Sequence, residues 1–584
     1  FLSCFFVQIV VVLRRRKRWF PPKGVRLFDG RKAHIPMGVY LNNATAYSLY
    51  EKETKKPYFV DKTQILEQLF PLVWEENSYI CITRPRRFGK TVMANMISAF
   101  FSRGCDGRPA EYKAGELFDD LYIAKNENYH KFLNQYDVIH ISFNEMPRKY
   151  GTYEEYIERI EKRLTDDLSK KYPELEIRQG EAVWDILTDI WEKDAAAKYI
   201  FVLDEWDFIF HRDFVADREK KAYISFLSNL LKDKPYVVMV YMTGILPIAK
   251  YSSGSELNMF TEFTMANSPA FSDYFGFRED EVAQLYERYL KACENPSVTR
   301  QGLKRWYNGY HTAGGQRVYN PRSVVEALRY NHLASYWTSA GPYDEIYYYI
   351  EKNVAEVRDD LALMAAGESV PARIQEYAAT SMNLQTKDEI FSAMVVYGFL
   401  SCEKNRVLIP NKEIMDRFSD MLRKENSLGY VNRLARESDR MLKATLAGDT
   451  ETMLEILEYT HDTEVPLLSY NNETELTAVV NLVYLSARDF YRVEREDKSG
   501  IGYVDFIFYP EVDKTADCII LELKVNASPE AAVKQIRDKK YDMRFYGRLG
   551  EKPEYTGRIL AVGISYDKSS KKHNCKIKTI RERI

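Results

Sequence analysis

A Gly-Lys-Thr triplet, Gly89-Lys90-Thr91, separates two differently patterned stretches of the chain. Residues 79–83 form a short apolar run typical of a β-strand, and residues 92–101 repeat apolar side chains at helical spacing. This order of strand, loop and helix is the setting of a phosphate-binding loop, in which backbone N–H groups at the helix N-terminus hold phosphate oxygens. Lys90 would neutralise the β- and γ-phosphates of ATP, and the Thr91 hydroxyl would ligate Mg²⁺. The full pattern has an earlier glycine where this chain has Arg84.

A second apolar run, residues 198–203, ends in the two carboxylates Asp204 and Glu205. Buried parallel strands read as continuous apolar runs, and ligands bind at the carboxyl ends of such strands. We expect Asp204 to hold Mg²⁺ through water and Glu205 to polarise the attacking water. A further strand leads to Thr243, which is placed to sense the γ-phosphate. The simpler alternative is a strand followed by an acidic turn.

A third group of reactive residues stands near the C-terminal end. Asp505 lies in an alternating run, residues 502–509, and a polar loop joins it to a second run, residues 518–525, which carries Glu522 and Lys524. Side chains two apart on a strand share a face, so Glu522 and Lys524 point the same way. If the strands pair, Asp505 and Glu522 make a Mg²⁺ site, with Lys524 as the cation for a scissile phosphate or water. The alternative is a solvated pair at a sheet edge.

The elements that must position these groups belong to a large globular chain. Its 584 residues predict roughly four domains or sub-domains, and its 45% hydrophobic and 29% charged fractions exclude a disordered or collagen-like protein. The 83 basic and 85 acidic residues nearly cancel, so we expect nucleic-acid contact only locally. The 7 cysteines form no CxxC pair, which argues against a zinc finger or a disulfide framework and favours reduced thiols in the cytoplasm.

The first residues have an unusual composition. An apolar run of 13 residues is followed by Arg14-Arg15-Arg16-Lys17-Arg18. The run is too short to cross a bilayer, and in a secretory signal the positive charge precedes the apolar run. We interpret residues 1–33 as an atypical N-terminal extension, with a membrane anchor as the alternative, and expect no stable membrane span.

The middle of the chain, residues 276–430, alternates amphipathic helices with short turns. A helical run from Phe391 to Leu400 followed by a short strand is similar to a winged-helix element, and we interpret this region as a lid beside the nucleotide. Residues 431–464 are expected to be a helical connector.

The motifs along the first half resemble those of the predicted AAA-ATPase-like family. They are Tyr58-Phe59-Val60-Asp61-Lys62-Thr63, Thr83-Arg84-Pro85-Arg86-Arg87-Phe88-Gly89-Lys90-Thr91, Leu203-Asp204-Glu205, Thr243-Gly244-Ile245, Tyr274-Phe275-Gly276-Phe277, Trp306-Tyr307-Asn308-Gly309-Tyr310 and Tyr319-Asn320-Pro321. The resemblance covers residues 34–330 and makes Arg84 normal at its position. It implies that Gly89, Lys90 and Thr91 contact phosphate and Mg²⁺, and that Asp204 and Glu205 are the Walker B pair. Arg84, Arg86 and Arg87 are further candidates for contacting the nucleotide, for bracing the loop or for binding Asp or Glu from a neighbouring element. The alternative is that one or two of them face solvent.

Residues 465–565 resemble the PD-(D/E)XK nuclease domain, which has a helix, a hairpin with Asp and Glu-x-Lys, and a helix with Gln in this order. The resemblance implies that Asp505, Glu522 and Lys524 are catalytic, supported by Gln535 and Tyr541. Glu473 matches the helical acid, with Glu475 as the alternative. Local basic charge at Lys534, Arg537, Lys539, Lys540 and residues 568–583 would contact phosphate in a salt-sensitive way.

The expected fold class is α/β: a P-loop NTPase domain (34–275) with a helical, winged-helix-like lid (276–430), a connector (431–464) and a PD-(D/E)XK nuclease-like domain (465–584). The expected function is an ATPase module that controls a Mg²⁺-dependent nuclease acting on nucleic acid. The alternative is an ATP-gated switch that binds nucleic acid or a partner protein without cleavage. Homo-oligomerisation is possible for either.

Overall fold

The computed structural model describes residues 38–103, 114–145, 152–178, 180–212, 215–248, 256–266, 268–337, 354–374, 384, 386–463, 473–499, 502–511, 513–546 and 554–584. Residues 1–33, interpreted above as an N-terminal extension, lie outside these ranges. No helix within the described ranges is both long and apolar enough to cross a membrane.

The first part of the chain is an α/β layer structure. Its elements are α1 (Ala44–Thr54), α2 (Ile65–Glu75), β1 (Ser78–Thr83), α3 (Lys90–Phe101), β2 (Asp137–Ser142), α4 (Tyr153–Lys171), α5 (Val183–Lys193), β3 (Tyr199–Asp204), α6 (Asp217–Leu231), β4 (Val237–Gly244) and β5 (Thr261–Phe263). The strands form one parallel sheet in the order β2-β3-β4-β1-β5. Strand β4 therefore separates the strand before the phosphate loop from the strand that ends in Asp204.

Apolar side chains cover both faces of this sheet. Phe201 and Leu203 belong to one buried cluster, and Ile200 and Val202, which alternate with them along β3, belong to another. A parallel sheet needs helices on both faces, which explains the continuous apolar runs in the sequence. The carboxyl ends of β1, β3 and β4 meet at one edge of the sheet, and the candidate residues lie there.

The lid region is helical with a small antiparallel sheet. Its elements are α7 (Glu279–Ala292), α8 (Arg300–Tyr307), β6 (Tyr310–His311), β7 (Arg317–Val318), α9 (Pro321–Tyr330), α10 (Val354–Ala365), β8 (Val370–Pro371), α11 (Lys387–Tyr397), β9 (Ser401–Glu403), β10 (Arg406–Leu408) and α12 (Lys412–Lys424). Helix α11 begins with a capping box at Thr386 and ends at Gly398, whose φ is 87°. The hairpin β9–β10 follows it and pairs with β8, as a winged-helix element requires.

The C-terminal part carries a second sheet. Its elements are α13 (Tyr430–Ala447), α14 (Thr450–Thr463), α15 (Glu473–Val483), β11 (Tyr491–Ser499), β12 (Gly502–Pro510), β13 (Cys518–Val525), α16 (Pro529–Asp538), β14 (Ile559–Asp567) and β15 (Lys572–Arg581). The strand order is β11-β12-β13-β14-β15, and only the β13–β14 pair is parallel within the described sheet.

The helices expected to be a connector pack against this second sheet. The Arg558 guanidinium donates to the Leu446 carbonyl at the end of α13, and the His573 backbone N–H donates to Glu458 on α14. One apolar cluster runs from lid residues such as Trp337 through α13 to Phe506 and Leu521 of the sheet. The lid and the nuclease-like domain therefore share a continuous core. Amphipathic spacing shows that a helix buries one face, but it does not identify the partner of that face.

Candidate functional site

The phosphate loop adopts the geometry expected of an anion-binding turn. Gly89 is the N-cap of α3 with φ 89°, and no atom lies within 4 Å of where a Cβ would stand, so backbone conformation requires the glycine. Arg87 also has a positive φ, 68°. The loop borders a cavity of about 660 Å³.

The cavity is lined by both polar and aromatic side chains. Gly89, Lys90, Thr91, Arg86 and Arg87 of the loop line it. Rings and apolar side chains also line it: Tyr58, Phe59, Val60, Tyr274 and Phe277. This combination suits a molecule that joins phosphate groups to a flat base.

The Lys90 side chain is buried inside the loop. Its Nζ donates to the Arg84 and Pro85 carbonyl oxygens over 2.8 and 2.9 Å. Burial lowers the pKa of Lys90 to about 8, although three nearby carboxylates act in the opposite direction. An incoming phosphate would replace the carbonyl contacts and favour the charged ammonium.

Asp204 is fully buried at the end of β3 and does not line the cavity itself. Burial, and then the charge of Glu205, raise the pKa of Asp204 to about 7. The Thr91 hydroxyl lies close enough to lower that pKa, yet neither carboxylate oxygen has a partner at hydrogen-bond geometry among the described residues. A buried carboxylate without a donor, next to a cavity-lining hydroxyl, fits a hard cation such as Mg²⁺.

Glu205 and Thr243 complete the edge of the sheet. Glu205 lines the cavity and has a positive φ of 53°. Thr243 stands opposite Asp204 in the β3–β4 register, and its buried hydroxyl has no hydrogen-bond partner among the described residues. Thr243 does not line the cavity, so any contact with a γ-phosphate would pass through the residues in front of it.

Arg84 takes a different position from the one expected of a nucleotide ligand. It is 2% exposed, and its guanidinium donates to the carbonyls of Thr83, Phe263 and Phe271. It also lies over the Phe275 ring, 5.0 Å from the centroid, and does not line the cavity. Arg84 therefore braces the loop against β5, which was the second role considered for it, and Arg86 and Arg87 remain the candidates for the nucleotide.

Asp207 and Arg322 are among the lining residues of this cavity that sequence reasoning did not assign to the site. The Asp207 carboxylate lines it and accepts hydrogen bonds from the backbone N–H groups of Ile245 and Leu246 over 2.9 and 2.8 Å, so it joins the end of β4 to the Asp204-Glu205 turn. Arg322 follows Pro321 at the start of α9 and brings a lid cation to the cavity. Asp207 had a weak signal, a third acid close behind Asp204. Arg322 had no such signal, because it is far from the loop in the sequence and lies near it only in the folded chain.

The lid contacts the phosphate loop directly. The Trp337 indole N–H donates to the Arg86 carbonyl over 3.1 Å, and the Arg87 guanidinium donates to the Tyr336 carbonyl over 2.5 Å. The buried Glu413 carboxylate accepts from the backbone N–H groups of Tyr336 and Trp337 over 2.6 and 2.7 Å. Hydrogen bonds therefore connect the loop, through Tyr336 and Trp337, to Glu413 in the first turn of α12.

The second candidate site lies on the face of the C-terminal sheet that α16 covers. Phe506, Leu521 and Leu523 point to the opposite face, into the core shared with the lid. The Leu523 backbone N–H donates to Asp505 over 2.7 Å, which places that carboxylate against β13. Asp505 and Glu522 therefore lie together, as the strand pattern predicts.

Glu522 is the centre of this group. It is 2% exposed, and its Oε1 accepts from Lys524 Nζ over 3.1 Å and from the Gln535 amide. Burial, and then the Asp505 carboxylate, raise the pKa of Glu522 to about 7. Its Oε2 has no hydrogen-bond partner among the described residues. Two adjoining carboxylates, one with a buried oxygen that lacks a hydrogen-bond partner, and a lysine fit a divalent cation.

The remaining predicted residues of this site divide into two groups. Tyr541 is fully buried in an apolar cluster, so packing accounts for its position. The side chains of Glu473 and Glu475 lie outside the described parts of the chain, although the backbone of α15 begins at Glu473.

Comparison with known proteins gives matches to both halves. Residues 48–253 match the family model described as "Predicted AAA-ATPase", and residues 472–574 match the model of the PD-(D/E)XK nuclease superfamily. An uncharacterized protein in the vnfD 5' region of Azotobacter chroococcum mcd 1 is 23% identical over 292 residues, which are 49% of this chain and 51% of that protein. The chain thus spans about half the length of this curated relative.

Two archaeal structures are also similar. A Walker-type ATPase of Pyrococcus abyssi has a TM-score of 0.32 and 13% identity, over 61% of this chain and 94% of that one. The Aeropyrum pernix ORC2 protein in ADPNP and ADP complexes has a TM-score of 0.29 and 11% identity, over 66% of this chain and 96% of that one. The matches place a region similar to the predicted AAA-ATPase model in the first half of the chain and a region similar to the PD-(D/E)XK nuclease superfamily model near its C-terminal end.

Proposed function

We propose that this protein binds and hydrolyses ATP with Mg²⁺, and that the nucleotide controls cleavage of nucleic acid by the C-terminal domain. The observation that carries the ATPase half is the cavity in which Gly89, Lys90 and Thr91 face Glu205, with the unpartnered Asp204 carboxylate beside them. Each group has the chemistry that phosphoryl transfer needs at its place.

In this cavity the chain's own residues divide the work. Lys90 and the N-terminus of α3 bind the phosphates, and Arg86, Arg87 and Arg322 add positive charge around them. Thr91 and Asp204 would hold Mg²⁺, which supplies charge stabilisation on the phosphate oxygens. Glu205 orients the attacking water and accepts its proton.

In the C-terminal domain, Asp505 and Glu522 would hold a second Mg²⁺ site, where the ion activates water and stabilises the developing charge. Lys524 neutralises charge on the scissile phosphate. Gln535 would orient Glu522 by donating to its Oε1, which leaves the buried Oε2 without a hydrogen-bond partner among the described residues.

Control of one site by the other is supported by the packing. The phosphate loop contacts Trp337, and Trp337 belongs to the apolar cluster that continues to Leu521 and Leu523, the neighbours of Glu522 in β13. A change in loop position on ATP binding is thereby linked to the strand that carries the nuclease residues.

A switch that binds without cutting is the second candidate. It is favoured by one observation: Glu522 is 2% exposed, so a scissile phosphate has little access to the carboxylate that cleavage would need. A cleavage assay on labelled DNA and RNA with Mg²⁺ separates the two candidates. Product that disappears in Glu522→Gln supports the nuclease, whereas retention of nucleic acid without product supports the binding switch.

A further inference from the structure

A second large cavity, of about 960 Å³, opens on the lid between α7, α8 and β7. Five cations line it: Arg278, Arg300, Lys304, Arg305 and Arg317. We name this cavity the lid groove. Its only lining carboxylates, among the described residues, are Glu279 and Asp280. The lining therefore has an excess of positive charge in a chain whose net charge is −2, although Arg278 also pairs with Glu281 and Arg305 with Glu511 just outside it.

We propose that the lid groove binds the phosphodiester backbone of a nucleic acid and guides it to the C-terminal domain, an inference that rests on the proposed function. The near-neutral chain as a whole has little general affinity for polyanions, so a local concentration of cations is what would set the contact. Arginine predominates in the groove, and its planar fork binds phosphate oxygens in pairs.

The charges in the groove are incompletely neutralised. Glu279 alone faces two cations, Arg300 at 3.0 Å and Lys304 at 3.8 Å, and it also accepts from the Tyr319 hydroxyl. Arg317 donates to the imidazole Nε2 of His311 and forms no ion pair with a carboxylate in the described parts of the chain. The Arg300 and Lys304 side chains are 50% and 62% exposed, so a polyanion can reach them.

The lid groove adjoins the nuclease-like domain. Arg305 on its wall forms an ion pair with Glu511 over 2.6 Å, and Glu511 follows the last residue of β12. Asp505 lies on the same strand, roughly 20 Å from Glu511 at the rise of an extended chain. A backbone held in the groove is thus within a few nucleotides of the candidate cleavage site. The lid, which contacts the ATP cavity, would then hold the substrate as well as transmit the nucleotide state.

Arg300→Gln combined with Lys304→Gln tests the proposal in the full-length chain. Binding of short labelled duplex DNA, single-stranded DNA and RNA is measured by fluorescence anisotropy in EDTA, which prevents cutting, from about 50 to about 200 mM salt. We expect the double variant to bind at least threefold more weakly, with a salt slope smaller by about two for duplex DNA. The matched control is Arg440→Gln with Lys443→Gln, two exposed cations on α13 away from the groove, which should bind like the parent.

Glu279→Gln should change the affinity for nucleic acid in the opposite direction. It removes the charge that faces Arg300 and Lys304 but keeps an acceptor for Tyr319, so nucleic acid should bind several-fold more tightly.

Parental affinity and salt slope in both groove variants would overturn the proposal, as would absence of binding by the parent or preference for an acidic peptide over the oligonucleotides. If the parent cuts nucleic acid and the groove variants bind it as the parent does, the role of the lid groove is refuted but the nuclease function is not. Groove-dependent binding without cutting would refute the nuclease alone. ATP hydrolysis and the melting temperature serve as folding controls and should match the parent.

Discussion

Asp204 stands opposite Thr243 in the register of β3 and β4, and no side-chain oxygen of either residue has a hydrogen-bond partner among the described residues. Leaving three polar atoms unpaired in a buried position costs stability, because each forfeits the hydrogen bonds that water would give. Such a cost is tolerated where a ligand supplies the missing partners. Unpaired oxygens at this edge of the sheet are consistent with the Mg²⁺ and γ-phosphate contacts proposed for Asp204 and Thr243.

Lys90→Ala tests the phosphate cavity. The substitution removes the buried cation of the loop, so we expect at least tenfold weaker binding of Mg²⁺-ATP and hydrolysis lowered about 100-fold. Titration with a fluorescent ATP analogue and a phosphate-release assay measure both. Lys198→Ala, which removes a lysine of the same domain paired with Glu76 outside the cavity, is the control and should behave like the parent. Equal ATP hydrolysis in Lys90→Ala and the parent would exclude this cavity as the catalytic site.

Glu205→Gln separates binding from chemistry. The amide keeps the size of the side chain but cannot accept the proton of the attacking water, so ATP affinity should stay within threefold of the parent while turnover falls about 100-fold.

Asp207→Ala should lower stability instead. It leaves two buried backbone N–H groups without an acceptor, so the free energy of unfolding should fall by about 2–4 kcal/mol. Denaturant unfolding measures this loss, and parental stability in Asp207→Ala would contradict the bracing role.

Alanine substitutions at two glycines test the contact between the lid and the phosphate loop. Gly398 and Gly448 each end a helix with a positive φ, 87° and 78°, so alanine strains the backbone at both. Only Gly398→Ala also places a Cβ 2.7 Å from Pro85 of the loop, whereas at Gly448 nothing lies within 4 Å. Both variants should lose about 1 kcal/mol of stability from backbone strain, and Gly398→Ala alone should lose more and bind ATP several-fold more weakly. Equal ATP affinity in the two variants would show that the contact with Pro85 does not matter.

Acid should destabilise the ATPase domain through His140. This residue of β2 is buried, and burial lowers the pKa of its imidazole to about 4 from an ordinary 6.5. The unfolded chain binds a proton below pH 6.5 while the folded chain does not, so stability falls as the pH drops from about 6.5 to 4, by about 3 kcal/mol. Urea unfolding of the parent and of His140→Leu across this range measures the difference. A pH dependence that is the same in both would assign the loss to other groups.

How far the sequence predicts this molecule depends on how local each feature is. The loop at Gly89 and the carboxylates at Asp204 and Glu522 were predictable because each follows a strand pattern within a few residues. The family models confirm the two domains that these patterns indicated, at residues 48–253 and 472–574. The bracing role of Arg84 was considered from the sequence, but its partners, the carbonyls of Phe263 and Phe271, become neighbours only on folding.

Contacts between distant segments were beyond sequence reasoning. Arg322 lines the cavity at the phosphate loop and Trp337 contacts Arg86 across more than two hundred residues, with no motif that links them. The lid groove likewise collects cations from three separate elements. Residues 431–464 were expected to be a helical connector, and their amphipathic spacing does not show whether the helices pack on the lid or on the C-terminal sheet.

The coupling of the two sites is tested most directly by measuring Mg²⁺-dependent cleavage of labelled DNA and RNA, with and without ATP, by the parent, Lys90→Ala and Glu522→Gln. Glu530→Gln, which changes an exposed acid at the start of α16, is the control and should cleave like the parent. We expect ATP to change the parent's rate, Lys90→Ala to cleave at one rate regardless of ATP, and Glu522→Gln to form no product. Cleavage by Glu522→Gln at the parental rate, or a parental rate indifferent to ATP, would contradict an ATP-controlled nuclease.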